Sequence, residues 1–125
     1  MFHVIRGAGV PQSDLPFSPA VKVGSFVFVS GQASVDDQGH IVKDTFAGEM
    51  RRSFENVTKV LAGAGLTLQH VFKVSSYVGR QEDLAEYNTI YREYFKGPYP
   101  ARTTLIGCLG DVLKFEVDVV ASANE

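Results

Sequence analysis

The sequence predicts an α+β fold in which two helices pack on one face of a mixed β-sheet. Three observations lead there. β-rich and helix-periodic runs succeed one another as two or three strands, helix, strand, helix, two strands. Each helical run carries one apolar stripe, so each has one face to bury. Of the 125 residues, 45% are hydrophobic and 21% charged, enough apolar material for the core of one domain spanning residues 1–125.

Phe2 to Arg6 reads as a short strand, and Gly7 to Pro19 as a loop rich in Gly, Pro, Ser and Asp. Ala20–Val23 and Phe26–Ser30 flank Gly24-Ser25, the short-loop signature of a hairpin. A turn at Asp36–Gly39 precedes Ile41 and Val42. From about Asp44 to Gly65, Phe46, Met50, Phe54, Val57 and Leu61 recur at steps of three and four, which predicts a helix. Asp44 or Thr45 can cap its start, and Gly63 and Gly65 with Leu66 beyond suit its end. Val71–Val78 is again β-rich. A second helix from about Glu82 to Phe95 carries Leu84, Tyr87, Tyr91, Tyr94 and Phe95, and Gly97-Pro98 stops it. Two strands, about Ala101–Leu109 and Leu113–Ala121, follow. Phe28, Phe72, Val74, Val78 and Leu105 exceed what two short helices cover, so an open sheet face buried in an oligomer is expected.

Composition narrows the function classes. Twelve basic against fourteen acidic residues give a net charge of -2, and the basic residues are scattered, which argues against nucleic-acid binding. The lone Cys108 cannot form an internal disulfide and reads as a buried structural thiol; His3, His40 and His70 lack metal-ligand spacing. No leader-like or membrane-length apolar stretch occurs, so the expected setting is the cytoplasm, without a membrane partner. Gly7-Ala8-Gly9 and Gly63-Ala64-Gly65 lack the third glycine of a dinucleotide fingerprint and read as turns. Asn56-Val57-Thr58 lies inside a helix and is discounted as a glycosylation acceptor.

The final strand carries the first hint of chemistry. Alternation sends Phe115, Val117 and Val119 one way and Lys114, Glu116, Asp118 and Val120 the other. A hairpin-like pairing with the preceding strand would bring Arg102 or Thr104 beside those carboxylates. An arginine fork next to a glutamate could hold a substrate carboxylate and position a water. A structural salt bridge, or carboxylates that merely face water, would read the same way.

Several blocks together carry a resemblance: Phe17-Ser18-Pro19-Ala20-Val21, Phe28-Val29-Ser30-Gly31-Gln32, Asn56-Val57, Asp83 through Asn88 to Tyr91 and Phe95, Tyr99-Pro100-Ala101-Arg102-Thr103, and Phe115-Glu116-Val117-Asp118. In order and spacing they resemble the Rid family of reactive-intermediate deaminases, the YjgF-like or L-PSP endoribonuclease-like proteins, from about Pro16 to Ala121. The resemblance implies a chorismate-mutase-like α+β fold and a homotrimer with ligand sites between subunits. It also implies hydrolysis of 2-imino or 2-amino-enoic acids to 2-oxo acids and ammonia, with no cofactor and a small-molecule carboxylate as substrate. By position, Arg102 matches the arginine that clamps the substrate carboxylate and Glu116 the acid that orients the attacking water. Ser30 and Gly31 match the pocket wall, and Asn88 a polar pocket residue on the second helix. Phe17 stands where the deaminating branch usually has tyrosine, Thr104 where it often has cysteine, and Leu109-Gly110 replaces a Leu-Pro. The Arg102-Thr103-Thr104 run also looks like the 2-aminomuconate deaminase branch. A non-catalytic trimer binding small carboxylic acids is the other reading, and RNA cleavage a third that the acidic charge disfavours.

Overall fold

The computed structural model describes residues 1–124. Six strands form one sheet in the order β1-β2-β3-β6-β4-β5: β1 is His3–Val4, β2 Ala20–Val23, β3 Phe26–Ala33, β4 Val71–Val78, β5 Ala101–Ile106 and β6 Phe115–Ser122. Helix α1 spans Phe46–Gly63 and α2 Leu84–Tyr94. The expected hairpin of β2 and β3 is present, with Gly24 at φ 58 in its turn. Thr45 caps α1, its side chain accepting from the Gly48 amide. At the other end the Leu66 amide bonds to the Leu61 carbonyl and the Gly65 amide to that of Ala62, with Gly65 at φ 75. This left-handed glycine stop uses the carbonyls the last turn leaves free.

Both helices lie on one face of the sheet. Phe54 stacks on Tyr94 at 4.7 Å between ring centroids and meets Phe95 and Phe115 at 5.8 Å each, which joins α1, α2 and β6 in one apolar core. Asn56, placed within α1 as expected, has a buried amide that donates to the carbonyls of Ala33 (3.0 Å) and Val35 (3.1 Å) and pins the end of β3 to the helix. Glu49, also buried on α1, accepts from the Lys114 amide (3.0 Å) and its ammonium (3.3 Å), anchoring the start of β6.

Three expectations are corrected. The last two strands are not a hairpin: β5 runs parallel to β4 along the edge of the sheet, and β6 lies on the other side of β4, between it and β3. Strand, helix and parallel strand form a crossover, and α2 is the element long enough to return the chain to the same end. Val74 and Val78 belong to the core rather than the open face, because a bulge near Phe72 shifts the alternation of β4 and, of these three apolar side chains, turns only Phe72 outward. Cys108 is exposed, in the loop after β5.

Candidate active site

The residues singled out from the sequence fall into two clusters. The first surrounds a bulge in β3, where Ser30 and Gly31 together oppose Asp118 of β6. The Ser30 hydroxyl donates to the Ser18 carbonyl at 2.6 Å and its amide to that of Pro19 at 2.9 Å. Those bonds hold the Phe17–Pro19 segment against β3, so Ser30 shapes the wall and spends its proton on the backbone. Phe17 is about half exposed and lines, with Gly31, a cleft of about 540 Å³ between the amino-terminal loop and β3.

Glu116 completes this cluster. Its neighbours Phe115 and Val117 are buried under the helices, so Glu116 and Asp118 project from the other face of the sheet, the alternation read from the sequence. The Glu116 carboxyl lies directly over Gly31, where a Cβ would overlap its Oε2 atom. Only glycine leaves room for it. Burial pushes the Glu116 carboxyl above the ordinary glutamate range, and the like charge of Asp118 adds to the shift. Asp118 accepts from the Tyr77 hydroxyl at 2.8 Å, an interaction that raises Tyr77 to about 12. Tyr77 stands opposite Glu116 in the register of β4 and β6. Among the described residues no cation pairs with Glu116 within 4.0 Å.

The second cluster sits where β5 meets α2. The Arg102 guanidinium lies 5.0 Å from the centre of the Tyr87 ring and 4.7 Å from that of Tyr91, and donates to Asn88 Oδ1 at 2.9 Å. Two aromatic faces and one neutral amide hold the fork without neutralising it. No carboxylate among the described residues comes within salt-bridge distance, so no structural ion pair among them explains Arg102. Thr104 shares a 2.8 Å hydrogen bond with the Tyr87 hydroxyl and fixes that ring under Arg102. A cleft of about 220 Å³ opens beside the guanidinium, lined by Asn88, Tyr91, Arg92, Tyr99, Pro100 and Arg102.

The two clusters do not meet within one chain. Arg102 lies on the helix side of the sheet, against rings of α2, whereas Glu116 lies on the open side. The expectation that strand pairing brings Arg102 or Thr104 beside the carboxylates is therefore corrected. Tyr87 and Tyr91 read from the sequence as a core stripe, and their role beneath Arg102 needed the β4–α2–β5 crossover to become visible. Among the described residues, no group of three or more His, Cys, Asp or Glu side chains could hold a metal ion.

Comparisons with known proteins give these clusters a context. Residues 9–123 match the family described as endoribonuclease L-PSP. A RutC family protein of Pyrococcus horikoshii is 34% identical over 123 residues, 97% of this chain and 98% of that one. The 2-iminobutanoate/2-iminopropanoate deaminase of Homo sapiens is 31% identical over 121 residues, 95% of this chain and 88% of that one. Among solved structures, the Rid family protein YyfA of Yersinia pestis superposes with a TM-score of 0.89 at 28% identity, covering 98% of this chain and 99% of that one. TdcF of E. coli, solved with bound serine, does so with a TM-score of 0.85 at 29% identity, covering 96% and 98%. A family match across nearly the whole chain, on a fold shared with its solved members, identifies this protein as a member of the endoribonuclease L-PSP family, the RutC and Rid proteins.

Proposed function

We propose that this protein is an enamine/imine deaminase that hydrolyses 2-imino acids to 2-oxo acids and ammonia, at sites formed where two copies of the chain meet in a homotrimer. One observation carries the reading: among the described residues, a guanidinium without a carboxylate and a glutamate without a cation, on opposite faces of one chain. Each lacks what the other supplies. If the Arg102 rim of one copy seats against the Gly31–Glu116 face of the next, the contact joins two different surfaces. Such contacts propagate head to tail and close into rings. The naming of the human relative as an imine deaminase supports the same chemistry.

The reaction needs little from the protein, because the C=N carbon is already electrophilic. Arg102 binds the substrate carboxylate through its fork, steadied by Asn88. Glu116 in its ionised form accepts a proton as water adds to the C=N carbon. The nitrogen gains a proton, the C–N bond breaks, and ammonia leaves as the carbonyl forms; the proton taken by Glu116 returns to the departing nitrogen or to solvent. A glutamate with raised proton affinity is a better base once ionised. Holding both reactants in line supplies the remainder.

The test is ammonia release from iminopropionate and iminobutyrate generated in situ, with light scattering on the same samples. The expected result is a trimer whose turnover falls about a hundredfold to ten-thousandfold in Glu116→Gln, while binding of 2-oxobutyrate persists. A 13.6 kDa particle in solution removes the composite site. Undiminished turnover in the glutamine variant removes Glu116 from the mechanism, and binding without ammonia release in the wild type leaves a carboxylate-binding protein.

A further inference from the structure

Asp118 stands on the same face of β6 as Glu116, and the chemistry above does not use it. In the register with β3 it lies opposite the Ser30–Gly31 bulge, where the missing Cβ of Gly31 makes room for the Glu116 carboxyl. On its other side β4 sets Tyr77 opposite Glu116 and the small Ser75 opposite Asp118. Tyr77 leans along the strand over that small residue, and its hydroxyl crosses the diagonal to donate to Asp118 Oδ2 at 2.8 Å. One side chain of β4 therefore starts beside the glutamate and ends on the aspartate.

The donor that holds Asp118 is neutral, and the lysines of β4 and of the approach to β6 are turned elsewhere. Lys73 points toward β5, its ammonium donating to the Val74 carbonyl and the Ser75 hydroxyl at 3.4 Å each and to the Thr103 hydroxyl at 3.3 Å. Lys114, two residues before Glu116, is drawn under the helices to Glu49. From β3, Ser30 gives its proton to the Ser18 carbonyl, and Cys108, exposed in the loop after β5, is a further titratable neighbour of Tyr77. No cation lies within 4.0 Å of Asp118 among the described residues. A hydroxyl fixes a carboxylate without cancelling its charge, which a lysine in the same place would do. The bond to Asp118 raises Tyr77 to about 12, so it stays a donor throughout the working pH range. Alternate residues of a strand are about 7 Å apart, close enough for one charge to act on the other at physiological salt.

We propose that Tyr77 and Asp118 are positioning residues for the base: Tyr77 holds the Asp118 carboxylate in place, and its negative charge makes Glu116 the better acceptor for the proton of the attacking water. The raised proton affinity of Glu116, to which Asp118 contributes, agrees with this arrangement. The catalytic consequence rests on the reading of Glu116 as the base, whereas the electrostatic link among the three side chains does not.

The experiment titrates Glu116 itself, in the full chain labelled with carbon-13 at the glutamate carboxyls, with Glu116→Gln identifying its signal by nuclear magnetic resonance. Two variants separate charge from bond. Asp118→Asn removes the charge and keeps an acceptor for the Tyr77 hydroxyl; Tyr77→Phe keeps the charge and the ring and removes the bond. Arg102 of a second copy joins these groups in the proposed trimer and is the same in every protein compared. In Asp118→Asn the proton-binding constant of Glu116 should fall about three- to tenfold. In Tyr77→Phe it should fall about twofold, because the released carboxylate turns toward water. The acid limb of the deamination profile should move with it to lower pH, while the plateau drops about two- to threefold, since a less basic carboxylate is a weaker base. A merely structural pair would scale the rate at every pH and leave both the limb and the Glu116 midpoint in place. Melting curves and light scattering check fold and assembly, and Tyr77→Phe carries the decision if Asp118→Asn fails to assemble. A Glu116 midpoint that stays put in an intact variant of either kind overturns the inference, whatever the rate of ammonia release. Midpoints that move as expected in a protein that releases no ammonia overturn the deaminase reading alone.

Discussion

The two faces of the sheet contrast sharply. Under the helices Phe54, Phe115 and Tyr87 are each 0% exposed, and each ring packs against others of the same cluster. On the other side Phe26, Phe28 and Phe72 are 45–46% exposed, and Glu116 and Asp118 stand on the same surface with no cation paired to them among the described residues. One face satisfies itself, and the other offers apolar area and uncompensated charge together. A lone chain gains nothing from either feature. Both features suit the assembly proposed above, in which another copy covers this surface.

The largest effect expected from testing that contrast is on stability. Phe54→Ala removes a ring from the closed core and should cost about 3–5 kcal/mol in chemical denaturation. If the open face is solvent, Phe28→Ala should cost well under about 1 kcal/mol. If another copy covers it, Phe28→Ala should instead raise the concentration at which the oligomer falls apart, read by light scattering over a dilution series. We expect the second outcome. A Phe28 variant that assembles like the wild type at every concentration would return that face to solvent.

Next in size is Arg102→Lys. Lysine keeps the charge but loses the planar fork and its seating on Tyr87 and Tyr91, so turnover should fall about a hundredfold, nearly as far as for Arg102→Ala. Near-wild-type activity in the lysine variant would reduce Arg102 to a point charge and end the clamp assignment. Gly31→Ala addresses the other cluster. The new methyl would collide with the end of the Glu116 side chain, which is flexible enough to move without unfolding β3. Turnover should drop about tenfold or more from the displaced base alone, with the melting temperature nearly unchanged. Equal activity in both proteins would mean that the position of Glu116 over Gly31 has no bearing on the reaction.

How far the sequence carried these assignments depends on whether the governing contact is local. The alternation that puts Glu116 and Asp118 on the face opposite Phe115 was readable, since a strand carries that period in its own residues. So were the glycine stop of α1 and a cap at Asp44 or Thr45, of which Thr45 makes the bond. Which strand lies beside β6 was not, because pairing across the chain has no local signature. The helix between Val78 and Ala101 was nonetheless a signal that β4 and β5 run parallel. The inward turn of Val74 and Val78 depends on one bulge residue, Phe72, and a bulge resets every side chain after it. Arg102 and Glu116 could be named from the resemblance, yet their separation onto two faces follows from the crossover alone.

The smallest effect expected concerns the charge on Glu116 itself. Burial and Asp118 raise its proton affinity in the folded chain above that in the unfolded one. A carboxyl of this kind contributes stability that is fully present below the unfolded pKa, near 4.5, and is lost as the pH rises through the folded value. At neutral pH its ionised form therefore works against folding. Glu116→Gln, neutral throughout, should raise the melting temperature at pH 8 by roughly one to three degrees, allowing for solvent screening of a half-exposed group. The gain should shrink as the pH approaches 4, where the wild-type carboxyl is itself protonated. Melting curves of both proteins across that range read the sign directly. A gain that persists at pH 4 would trace to packing rather than charge. A loss at pH 8 would mean that a cation already rests on Glu116 in the assembled protein, Arg102 of a second copy being the candidate this fold offers.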